Sequence, residues 1–324
     1  MVPAGLAEPA VGGAMEQVPS IIGDVVALAL GACVGSFAVT VAYRLPRDIS
    51  IAAPRSFCEN CERPIPWWAN IPVFSYLASR GRCVMCGASI RVRHPAGELA
   101  LALAALLLYL NFPLGNAISR FIFVTALLIA SLVDYDWRLI PNLITFPGVP
   151  VGFALSALFM PEVGWKNSLI GIAAGGGVLF VTGYVYQLIR GKEGVGLGDV
   201  FLLAMVGAFL GWQGVLFTLF FGALLGSFGG LAVGLFGTPT GPPELPPGMR
   251  ETTAAPSSPA MPGAAGGADA AAAAIGAEEP DSAAAENEEH ALLATAVPFG
   301  PFLSLAAGFY TLFQPQLTSW YLSR

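Results

Sequence analysis

The sequence predicts an all-α polytopic membrane protein of about eight transmembrane helices, with a small cytoplasmic zinc-binding loop domain. Three observations carry this expectation. Hydrophobic residues make up 55% of the 324 residues and charged ones only 11%, against about a quarter charged in soluble domains. Apolar runs near the ~20 residues needed to cross a hydrocarbon core recur along the chain. Backbone groups in lipid must be satisfied within their own segment, which leaves helices for runs of this kind.

Taken in order, residues 1–19 form an N-terminal tail that lacks a basic region and contains Glu8 and Glu16. The next run, 20–43, therefore reads as a first transmembrane helix rather than a cleaved signal. Residues 44–96 are polar and form the loop domain. Further spans are expected at 97–112, 117–133, 140–160, 167–189, 199–212 and 214–237, within a membrane core of 97–237. The breaks at "NFPLGN" and "GWQG" are short, so these two divisions rest on little. A last span at 293–314 belongs to a terminal segment, 293–324.

Between the last two spans, residues 238–292 carry nine acids against Arg250 alone and no aromatic residue. Such a segment buries too little apolar surface to offset its ordering entropy, and a disordered acidic, Ala/Pro-rich cytoplasmic insert is expected. Small residues in "GIAAGGG" (171–177) and at Gly222, Gly226 and Gly230 predict close helix packing.

Basic residues set the orientation. Eight of the fifteen Lys and Arg lie in residues 44–95, which places that loop in the cytoplasm. Alternating the spans from there brings Arg138, Arg190, Lys192 and Arg250 to the same side, and leaves Arg120, Lys166 and Arg324 opposite.

The loop contains "CENC" (58–61) and "CVMCG" (83–87), two C-x-x-C pairs. Four thiolates in two knuckles suit tetrahedral zinc, with Cys58, Cys61, Cys83 and Cys86 as ligands. Disulfides and a redox C-x-x-C are the alternatives. The first needs an oxidising compartment and the second needs no repeated motif. An all-cysteine site leaves no open position, so the metal would be structural and would stabilise a loop too short for a large core. Cys33, alone in the first span, is expected to pack.

The chemistry must then lie with the acids near the spans: Asp24, Glu98, Asp134, Asp136 and Asp199. A carboxylate retained near a membrane span is a candidate for function. Asp134 and Asp136 stand in "SLVDYDWRLIPN" at the cytoplasmic end of the third span, before Pro141 opens the fourth. Asp199 follows "GVGLG" at the start of the sixth, on the same face. It reads either as a helix cap behind glycine or as a carboxylate brought close to a second one, the glycines leaving room. Two carboxylates about 4 Å apart repel by roughly 4 kcal/mol at an effective dielectric of 20 and share one proton. One then activates water and the other protonates a leaving amine. His94 and His290 lie in expected loops, with no sign of a triad.

With these residues in view, the chain resembles the type IV prepilin peptidases, membrane aspartic proteases with a G-x-G-D motif. The resemblance rests on "GSFAVTVAYRLP" (35–46), the two cysteine pairs, "HPAGELALAL" (94–103), "DYDWRLIPN" (134–142), "GLGDVFLLAMVGAFLGW" (196–212) and "FGPFL" (299–303). It implies that Asp134, seven residues before Pro141, and Asp199 are the catalytic pair, with Asp136 tuning the pair or capping the next helix. It also implies removal of a short basic leader from prepilins or pseudopilins at the cytoplasmic face of the bacterial inner membrane. With the cysteine loop present it implies N-methylation of the new terminus from S-adenosylmethionine, at a donor site no residue reveals. No nucleic-acid partner is expected. Where the family commonly has Asn and Lys, this chain has Val39 and Phe201. An alternative reading, an ion- or proton-coupled transporter, predicts the acids near the bilayer midplane.

Overall fold

A computed structural model describes residues 20–53, 55–191, 196–236 and 299–322. The tail 1–19 and the insert 238–292 lie outside the described residues. Among the described residues, eight α-helices are seen: α1 (Ile21–Arg44), α2 (Phe74–Ala78), α3 (Arg93–Asn111), α4 (Leu114–Trp137), α5 (Asn142–Phe159), α6 (Gly164–Arg190), α7 (Leu197–Phe236) and α8 (Gly300–Leu322). Among the described residues, six of them (α1 and α3 to α7) are long and apolar enough to cross a membrane.

The 40 residues of α7 are two helices in sequence. Gly211 interrupts them with φ 70° and ψ −175°, a conformation only glycine adopts cheaply. The chain reverses there, because a Cβ on Gly175 of α6 would lie 2.3 Å from Leu203 O and 3.3 Å from Val215 Cγ2. In a straight helix those two residues would stand about 18 Å apart. Counting the arms of α7 separately and leaving out the single-turn α2 gives eight long helices, the number expected. The short break at "NFPLGN" likewise separates α3 from α4.

Some boundaries move. α3 begins at Arg93, four residues before the expected span, and carries His94 in its first turn rather than in a loop. α4 runs on to Trp137, so Asp134 and Asp136 are helical, and it ends where Arg138 turns left-handed and donates its N–H to Asp134 O at 2.7 Å. Cys33 is exposed on α1 rather than packed, as an apolar thiol on a lipid-facing helix can be.

The first arm of α7 is the centre of the bundle. Leu202, Leu203, Met205, Phe209 and Leu210 are buried there with Phe123 and Leu127 of α4 and Leu303 of α8. Gly171 and Gly207 meet backbone to backbone, a Cβ on Gly207 falling 2.1 Å from Gly171 O. Reversal at Gly211 deprives the arm's last carbonyls of intrahelical donors. Ser156 of α5 and Ser168 of α6 both donate to Ala208 O at 2.7 Å. The second arm packs on α8 through Gly222, Gly226 and Gly229, against Leu303, Phe299 and Phe302. A Cβ on Gly230 would meet none of the described residues within 4 Å, because the helical repeat brings Gly229, not Gly230, to that face.

Candidate active site

Four helix ends meet at one end of the bundle: the close of α4 and the starts of α5, α7 and α8. Asp134 is buried in the last turn of α4, and the first N–H of α8, on Gly300, donates to its Oδ2 at 2.9 Å. Unpaired N–H groups at a helix start are natural partners for a carboxylate. Glycine is required there, since a Cβ would lie 2.6 Å from that oxygen and 3.0 Å from Cγ.

Asp199 stands in the first turn of α7, two residues after its start at Leu197, so it does not occupy the cap position. Its N–H donates to Gly196 O at 3.1 Å. Gly198 does the close packing: a Cβ there would fall 2.8 Å from Ile140 Cβ and 3.1 Å from Ile140 O. Ile140 belongs to the short link between α4 and α5, so Gly198 lets α7 start directly against the chain leaving Asp134. The start of α7, which carries Asp199, is thereby brought to the end of α4 that carries Asp134.

Asp136 turns elsewhere, to an ion pair with Arg93 Nη1. Phe201, where the resemblance expects Lys, places its ring edge-on to Phe146 of α5 at 5.3 Å. Val39, where it expects Asn, is 2% exposed and packs on Gly97 of α3. Both replace polar groups with helix contacts.

The cysteines fold as two copies of one turn. Cys58 N–H donates to Arg63 O at 3.1 Å and Cys83 N–H to Ala88 O at 2.8 Å, the same offset in each pair. Glu62 and Gly87, each following a second cysteine, have φ of 55° and 74° and return their N–H to Cys58 O and Cys83 O at 2.8 Å. All four sulfurs lie within 4.8 Å of one another, with Cys58 and Cys86 at 3.9 Å. A tetrahedral zinc with Zn–S of about 2.3 Å has S–S edges of about 3.8 Å, so the donor set fits that ion. The Ala88 backbone, followed by Cys61, Asn60 and Cys83, pulls the Cys86 thiol down to about 7, toward the thiolate that metals bind.

The loop is tied to the helix ends by charge. Glu59, inside the first knuckle, meets Arg91 Nε and Arg93 Nη2 at 3.6 Å and His94 Nε2 at 3.5 Å. The hydrogen bond with His94 and then the two guanidiniums hold its carboxyl below the usual carboxylate range, against the effect of burial. Arg44, at the end of α1, donates to Ser50 O, Ile51 O and Arg55 O, and Val73 N–H donates to Glu98 of α3 at 2.7 Å. A cavity of about 540 Å³ lies between the loop, α1 and α3, walled in part by Tyr43, Phe57, Trp68, Tyr76 and Glu98. All of its walls come from residues 36–98, and no sequence pattern marks it, because it depends on how the loop folds back on α1 and α3.

Residues 29–112 match the Bacterial Peptidase A24 N-terminal domain and residues 121–231 the Type IV leader peptidase family. The chain is 32% identical over 301 residues to a prepilin leader peptidase/N-methyltransferase of Myxococcus xanthus (strain DK1622), covering 89% of this chain and 90% of that protein. It is 33% identical to a protein of that name from Pseudomonas putida (63% and 79% covered) and 37% to one from Klebsiella pneumoniae (61% and 89%). No solved structure matches.

Proposed function

Because the chain belongs to the type IV leader peptidase family, we propose that it is a multi-pass enzyme of the bacterial inner membrane that cleaves the leader from type IV prepilins or pseudopilins, with Asp134 and Asp199 as an aspartic catalytic pair. The observation that carries this reading is that the helix ends bearing Asp134 and Asp199 come together at one end of the bundle, with Asp134 buried and held by the Gly300 N–H. Water between the two carboxylates loses a proton to one of them as it attacks the scissile carbonyl, and the other carboxyl protonates the departing amide nitrogen. The N–H of Gly300 holds one oxygen of Asp134 and leaves the other for the proton. Asp136, engaged with Arg93, takes no part in the transfer. The basic loop 44–96, on the same side as the pair, supports a cytoplasmic active site. A transporter would need its acids along a path through the bilayer, and these sit at helix ends.

Cys58, Cys61, Cys83 and Cys86 hold a structural zinc in this reading. N-methylation of the new terminus is its second half, supported by the names of the relatives. S-adenosylmethionine would supply the methyl group, and the cavity beside the knuckles has the volume and aromatic walls for a nucleoside-sized donor. Val39 and Phe201 lie outside the cavity walls.

Asp134→Asn and Asp199→Asn are each expected to cut leader removal from a co-expressed prepilin by about a thousandfold while the protein still inserts. Mass spectrometry of the pilin N-terminus reads cleavage and methylation together, and processing retained in either variant would rule the pair out. Cys58→Ser is expected to lose the metal, which elemental analysis of the purified protein checks.

A further inference from the structure

The knuckles stand apart from the aspartates, yet a line of ion pairs joins them. Glu59 lies between Cys58 and Cys61, so the knuckle sets the position of its backbone. Arg93 Nη1 donates a hydrogen bond to Asp136, and its other terminal nitrogen lies 3.6 Å from the Glu59 carboxylate, an ion pair without a hydrogen bond. Asp136 is two residues beyond Asp134, in the last turn of α4. A guanidinium is a rigid planar fork, so an Arg93 fixed on Asp136 by a hydrogen bond turns its second terminal nitrogen toward Glu59, and their charge attraction draws the loop to the end of α4. The side chains of Arg93 and Asp136 are only 18% and 25% exposed, which separates this pair from the solvated surface pairs that contribute little. Tyr43 supports the fork from α1, its ring 5.9 Å from the Arg93 guanidinium and 4.0 Å from that of Arg47, which also lies 5.0 Å from the Trp137 ring.

We propose that Arg93 is a positioning residue through which the metal-bound loop sets the end of α4, and with it the Asp134 carboxylate. The proposal rests on Asp134 and Asp199 being the catalytic pair. A helix end frays when nothing holds it, and a misplacement of about 1 Å in a catalytic group costs about a hundredfold in rate. Metal in the loop then governs peptide cleavage without touching substrate. If Arg93 and Asp136 merely neutralised each other, the metal would matter only to the loop.

The experiment uses the full chain in lipid nanodiscs with a purified prepilin. It measures kcat and KM for cleavage, zinc content, and amide hydrogen exchange over residues 131–140. Arg93→Ala is expected to lower kcat about tenfold with KM within about twofold and zinc retained, and Arg93→Lys, which keeps the charge but not the fork, to recover part of the loss. Chelation of the wild type is expected to lower kcat by a similar factor and speed exchange at the end of α4. Chelation of Arg93→Ala is expected to add nothing, as for two changes acting through one contact. Chelation that leaves wild-type kcat and exchange unchanged, or that multiplies the Arg93→Ala loss, overturns the link. Cleavage retained in Asp134→Asn would instead overturn the assignment of the pair.

Discussion

Gly300 occupies the tightest position around Asp134, and its demand is steric and electrical together. A methyl group there would fall 2.6 Å from Oδ2, so either the carboxylate or the N–H that holds it must move. Gly300→Ala is expected to lower leader cleavage about ten- to hundredfold with zinc content unchanged, as kinetics and elemental analysis on the same sample would show. The motif "GLGD" can be divided in the same terms. Gly198 is needed because Ile140 lies 2.8 Å from where its Cβ would be, whereas among the described residues a Cβ on Gly196 would meet just the Asp199 carboxylate, at 3.6 Å. The aspartates stood out in the sequence as candidates because an acid beside a membrane span is costly to keep. The Gly300 contact and the turning of Asp136 toward Arg93 were not, since both depend on partners far away in the chain.

Helix number was readable from apolar length, and even the doubtful division at "GWQG" holds, because Gly211 there takes a backbone conformation that reverses the chain. Helix ends were less readable. α4 carries Asp134 and Asp136 beyond the apolar run, and polar residues at a helix end give no hydropathy signal. The packing of α6 on α7 was visible as small residues but not as a register. Gly207→Ala would drive a Cβ to within 2.1 Å of Gly171 O, backbone against backbone with nothing soft to yield. A loss of about 2 kcal/mol is expected, seen as a lower melting temperature of the detergent-solubilised protein.

Across the whole molecule, α4 and α8 are pinned at both ends. At one end Gly300 holds Asp134. At the other, fully buried Arg120 of α4 donates to Asn116 at 2.7 Å, Glu162 at 2.6 Å and Thr311 O at 3.0 Å, and also to Gln314 of α8, with the Phe112 ring 4.1 Å away. From Arg120 to Asp134 and from Gly300 to Gln314 the two helices run the same fourteen residues, so the pins agree in register. Removing Arg120 leaves Asn116, Gln314 and Thr311 O without this donor in a buried site, while Glu162 stays partly in solvent. Arg120→Ala is expected to lower the melting temperature and slow cleavage together, although it lies about 20 Å from Asp134 along α4. The bond between Asp134 and Gly300 joins residues 166 positions apart. At about 5–20 residues per second of synthesis, Asp134 waits roughly 10 to 30 seconds for its N–H donor to be made. The nascent chain thus reaches the membrane with this carboxylate incompletely held, and on the proposed mechanism it gains its cleavage chemistry only when α8 arrives.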